Sequence, residues 1–187
     1  MPEIDEEFDA FVDRVLEKDS PFEPPPELQL RPSQWKKSLS DLYQVIEAYL
    51  GRHVRRGAIR IKYKETELDE RYLGSYSAQT MIIEIGRQKV ELVPIGTLII
   101  GGRGRVDVKG PFGDARLVLV HRDVRRPEDL IKVKVNETPQ GRRSISVENE
   151  GDFDEFAWKI ATPPPRVVFD ALTEKSFHAM LMEVVNA

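Results

Sequence analysis

From Gln79 to Asp123 the chain is a succession of short apolar runs broken by glycine-containing turns: Met81-Ile82-Ile83, Thr97-Leu98-Ile99-Ile100, Leu117-Val118-Leu119-Val120. Runs of this length suit strands and are too short for helices. Strand after strand joined by tight turns predicts an antiparallel meander, because parallel neighbours need long crossovers. That fixes a scaffold without naming any chemistry.

The meander extends on both sides. Ile59, Ile61 and Tyr63 alternate with Arg60, Lys62 and Lys64, the pattern of a half-buried strand with a basic outer face. A polar loop is expected over 68–77, then a hairpin of 80–85 and 89–93 about Gly86-Arg87-Gln88. Further strands are expected at 97–100, 104–109, 115–120, 131–135, 144–147, 156–160 and 167–171, separated by Gly- and Pro-rich turns.

Two helices flank the strands. Trp35, Leu39, Leu42, Tyr43, Ile46, Tyr49 and Leu50 recur at helical spacing, with Ser33 as expected N-cap and Gly51 as expected stop. Near the end, Phe177, Met180, Leu181, Val184 and Val185 mark a helix over 174–186. Thr173 is its expected N-cap, and Leu172 with Phe177 its hydrophobic staple. The fold class is therefore α+β: an extensive antiparallel meander, curled as a half-barrel or roll, packed with a preceding helix and a C-terminal helix. One domain is expected over 33–187.

Residues 1–32 read differently. Ile4, Phe8, Phe11, Val12, Val15 and Leu16 form one apolar stripe on a helix, and acids crowd the opposite face. Pro21, Pro24, Pro25, Pro26 and Pro32 then favour an extended, stiff linker. Residues 1–20 hold eight acids and two bases, a net −6, whereas the remainder has 26 bases and 24 acids, a net +2. Such a split between segments is the mark of an interaction tail.

Composition removes several chemistries. With no cysteine there are no disulfides, thiolate metal sites or cysteine nucleophiles, and a cytoplasmic setting is expected. Met1-Pro2-Glu3 opens an acidic segment, not a basic leader, and no apolar run approaches a membrane span. Gly96 to Gly101 has the glycine spacing of a P-loop, but Gly102 stands in the lysine position. Gly102-Arg103-Gly104 begins a dinucleotide fingerprint, but Asp107 replaces its last glycine. These glycines are read as turns or bulges needing positive φ. His53, His121 and His178 have no local partner at ligand spacing, and no cofactor or metal is expected.

Three functions remain. The leading expectation is a non-enzymatic interaction or accessory protein whose N-terminal helix presents Phe8, Phe11, Val15 and Leu16 to a protein partner or a second copy. The alternative is phosphate or nucleic-acid binding by Arg52, Arg55, Arg56, Arg103 and Arg105; against it stand a near-neutral body and strand faces without base-stacking aromatics. The third is a divalent-metal-dependent hydrolase using Asp107 and Lys109, with Glu84, Glu91 or Asp114 completing the ligands. The competing structural account is ordinary cross-strand charge pairing. A second acidic run, Glu148 to Glu155, is read as a solvated turn.

Overall fold

A computed structural model describes residues 8–14, 29–97, 101–130, 132–137, 143–148 and 155–186, with backbone alone for 132–137 and 143–148. The long helix α1 (Arg31–Arg55) is followed by β1 (Ile59–Glu70), β2 (Gly74–Ile85), β3 (Gln88–Gly96), β4 (Gly102–Lys109) and β5 (Asp114–His121). Then come a hairpin of β6 (Lys132–Glu137) and β7 (Arg143–Glu148), β8 (Phe156–Ala161), β9 (Phe169–Ala171) and α2 (Glu174–Val185). Seven strands form one open antiparallel sheet in the order β1-β2-β3-β4-β5-β8-β9, and β6-β7 is a separate pair. The α+β class and the meander are as expected; the sheet does not close.

One face of the sheet carries the core. Met81, Ile83, Val90, Leu92, Val106, Val108 and Leu117 are fully buried beneath both helices. The register stacks Ile83 on Val90 and Met81 on Leu92, so the alternation of each strand lands on the same face. From α1, Trp35, Leu39, Leu42, Ile46 and Leu50 meet this face, and Phe177 and Val184 do so from α2.

Several boundaries differ from the sequence reading. The N-cap of α1 is Leu30, not Ser33; Arg31 and Pro32 are already helical, and the Ser33 hydroxyl donates back to the Leu30 carbonyl at 2.8 Å. Proline is tolerated there because its missing N–H would be unpaired in the first turn anyway. Gly51 does not stop the helix. The stop is Gly57, at φ 72°, where Gly57 N–H donates to Val54 O and Ala58 N–H to His53 O, a Schellman closure. Anchored by buried Leu50, α1 runs through Gly51 at a cost of about 1 kcal/mol.

The loop expected over 68–77 is mostly strand. β1 and β2 pair without interruption from Ile59↔Ile85 to Glu70↔Gly74, so they project past β3 as a two-stranded ribbon. Its far end folds back: Glu70, only 7% exposed, accepts hydrogen bonds from Thr97 N–H at 2.8 Å, the Thr97 hydroxyl at 3.0 Å and the Tyr76 hydroxyl. The strand expected at 97–100 is not one at Thr97, and 98–100 lie outside the described residues. β3 instead extends through Pro94, whose missing N–H is harmless because pairing with β2 ends at Leu92.

Of the glycines expected at positive φ, Gly96 and Gly101 adopt it, at 142° and 71°; Gly102 and Gly104 do not, although a bulge separates them. Thr173 caps α2 as expected, in a reciprocal pair with Ser176.

Candidate functional site

The N-terminal helical segment is described over 8–14. Phe8 and Phe11, three residues apart, fall on one side of it, with ring centroids 6.3 Å apart. They are 62% and 55% exposed. Arg14 donates to the Ala10 carbonyl one turn back. Val15 and Leu16, the other two expected contact residues, lie outside the described residues, as does the expected proline-rich linker from Ser20 to residue 28.

A second surface forms where α1 ends. The Schellman turn carries the chain from α1 directly into β1, and pairing sets Ile59 opposite Ile85. Leu50, Ile59, Ile85 and Leu181 floor a groove of about 410 Å³ there, and Met182 stands at its lip, 59% exposed. Its rim holds His53, His178 and Arg56, with Arg52 and Arg55 on the same last turn of α1. Arg56 Nη2 approaches His53 Nδ1 at 2.9 Å, and the two histidine rings meet edge-on at 6.4 Å. Partial burial, then the cations Arg56 and Arg52, lower the His53 pKa.

The remaining expected anion-binding residues are elsewhere. On β4, Val106 and Val108 point to the core, which sends Arg103, Arg105 and Asp107 to the opposite face of the sheet. Arg105 grips Asp107 with two bonds, Nε to Oδ1 at 2.6 Å and Nη2 to Oδ2 at 2.8 Å. The guanidinium of Arg103 lies over the Phe156 ring at 5.0 Å. The structure therefore brings Arg52, Arg55 and Arg56 together and keeps Arg103 and Arg105 apart from them.

Asp107 and Lys109 also share that outer face, within a lattice of opposite charges. Register places Lys109 between Glu91 and Asp114, and Asp107 beside Arg116. Glu84 is held by Lys62 at 2.7 Å and Arg60 at 3.3 Å, and the Lys62 ammonium keeps its carboxyl below the usual range. Glu91 pairs with Lys89. Among the described residues no group of three His, Asp or Glu side chains is placed to hold a metal ion. His121 faces Asp123 and Glu155 at 3.6 and 3.7 Å. Most of the acidic run from Glu148 to Glu155 lies outside the described residues.

One cleft had no signal in the sequence. Between α1 and the β1–β2 ribbon, about 450 Å³ is bounded by Lys36, Gln44, Glu47, Tyr63, Glu65 and Gln79. Tyr43 donates to the Gln79 carbonyl and Tyr63 to the Glu47 carboxylate, both at 2.6 Å, with the rings 5.7 Å apart. Burial pushes both phenols up, aided at Tyr63 by the Glu47 carboxylate. Both tyrosines fit the apolar periodicities that predict core positions, so nothing local marks a polar cleft.

No helix among the described residues is long and apolar enough to cross a membrane. No family model, curated protein or solved structure matches the chain.

Proposed function

We propose that this is a non-enzymatic interaction protein, cytoplasmic, whose N-terminal acidic helix is the contact element and whose sheet-and-helix body is its support. The observation that carries the reading is the exposure of two adjacent aromatic rings, Phe8 and Phe11, on a segment whose surroundings are acidic. Water-exposed phenylalanine forfeits about 1.5–3 kcal/mol per ring that burial in a partner would recover. Acidic flanks keep such a helix soluble and select a basic-rimmed groove.

Polyanion binding draws less support, since its arginines divide between opposite sides of the sheet and Arg105 is already engaged with Asp107. Hydrolysis draws less still, as the carboxylates near Asp107 are matched to neighbouring cations. The reading is tested by affinity capture with quantitative mass spectrometry, using the full chain against Phe8→Ala/Phe11→Ala. Specific enrichment lost in the double variant is expected; identical profiles would reject it.

A further inference from the structure

The groove at the end of α1 complements the N-terminal helix in both charge and polarity. Its floor is aliphatic, and Met182 (59% exposed) and Val54 (38% exposed) extend the apolar surface beyond it. Arg52, Arg55 and Arg56 are exposed around it, and among the described residues no carboxylate forms an ion pair with them. From Arg52 to Lys64 the sequence holds six cationic residues and no acid. The helix offers the converse, Phe8 and Phe11 within a segment of net charge −6 (two bases less eight acids).

We infer that the N-terminal helix of one copy docks in this groove on a second copy, so that two chains exchange helices around a two-fold axis. The inference rests on the reading of residues 8–14 as the contact element. Phe8 enters against Leu181 and Met182, and the acidic face of the helix meets Arg52, Arg55 and Arg56. The donor is a second copy because the single chain leaves both halves open at once: both rings and Met182 are more than half exposed. Two-fold exchange makes each contact twice, a closed arrangement that leaves no further groove unfilled.

The test is sedimentation velocity on the full chain up to about 100 µM, well above the Kd a two-contact dimer should reach. Wild type should be dimeric. Phe8→Ala/Phe11→Ala, which keeps the groove, and Met182→Glu, which keeps the helix, should each weaken the dimer at least about 30-fold. Met182 is largely exposed, so at dilutions where both proteins are monomeric its variant should retain the wild-type melting temperature. Mixing the two variants should restore a heterodimer held by the one intact helix–groove contact, and added salt should weaken it.

A monomeric wild type, a dimer indifferent to either variant, or a mixture that stays monomeric would each overturn the exchange. Docking within one chain would appear as a monomeric wild type in which Met182→Glu raises solvent labelling of Phe8. If wild type is monomeric while the Phe8/Phe11 variant still loses a captured partner, the exchange fails and the interaction reading stands. If neither dimer nor partner is found, both fail.

Discussion

Replacing Gly104 with alanine should strike the contact that seats α1 on the sheet. Gly104 lies on the core face of β4, and a Cβ built there would fall 1.9 Å from Trp35 Cζ3 and 2.5 Å from Cε3. Carbon atoms pack at about 3.5–4 Å, so the ring and the strand must separate by roughly 1.5–2 Å. Trp35 has nowhere to go: it is fully buried, with the Trp158 ring 5.8 Å away. Overpacking a core costs about 1–3 kcal/mol, and two rigid partners place this case at the upper end, about 3 kcal/mol. For a domain of this size that lowers Tm by about 6–12 °C. Urea unfolding gives the loss, with Gly113→Ala as control, because no atom lies within 4 Å of a Cβ there. The control should stay within about 0.5 kcal/mol of wild type. Trp35→Phe, which shortens the ring, should recover part of the Gly104→Ala loss in a double-mutant cycle. Equal stability of Gly104→Ala and Gly113→Ala would refute the contact.

Three further outcomes are expected. Glu70→Ala leaves the Thr97 N–H and the Thr97 and Tyr76 hydroxyls without their acceptor and should cost about 3 kcal/mol, with Glu70→Gln costing less; faster amide exchange at Thr97 would localise the loss, and equal costs for both variants would contradict it. Tyr43, Tyr63 and Tyr76 have raised pKa values, through burial first, so the unfolded chain surrenders these protons before the folded one. Their contribution to stability is complete below about pH 10 and is lost as pH rises beyond it. Absorbance at 295 nm should show Tyr43, Tyr63 and Tyr76 resisting ionisation, and a titration completed near pH 10 would exclude this. Asp107→Ala breaks a partly exposed pair with Arg105 and should shift stability by less than about 1 kcal/mol in the same urea assay; a loss several times larger would mean the pair does more than screened electrostatics allows.

The features legible in the sequence are those set by short-range pattern. The stripe of Trp35, Leu39, Leu42 and Ile46, the alternation of Ile59, Ile61 and Tyr63, and the cap at Thr173 each depend on neighbours a few residues away. The β1–β2 ribbon was obscured because Glu65, Glu67 and Asp69 overlay a period of two with charge, and its buried members Leu68 and Glu70 are unlike in chemistry. Gly51 passed for a stop because a glycine after an apolar stripe is locally indistinguishable from the true C′ residue, Gly57. The need for glycine at 104 comes from Trp35, far back in the chain, and no local rule carries such a contact.

The groove was invisible for the same reason. Leu50, Ile59, Ile85 and Leu181 each read as ordinary core positions, and only the Ile59↔Ile85 register and the seating of α2 bring them together beside Arg56. Phe8 and Phe11 were legible as a pair from spacing alone, whereas their exposure belongs to the three-dimensional arrangement.

The most direct test of the interaction reading is hydroxyl-radical labelling of Phe8 and Phe11 in full-length protein, purified at high dilution and again within cell lysate. The account predicts strong labelling of both rings when dilute and protection of both in lysate, with Phe112, exposed on the β4–β5 turn, unchanged as internal reference. Equal labelling of Phe8 and Phe11 in the two settings would contradict it.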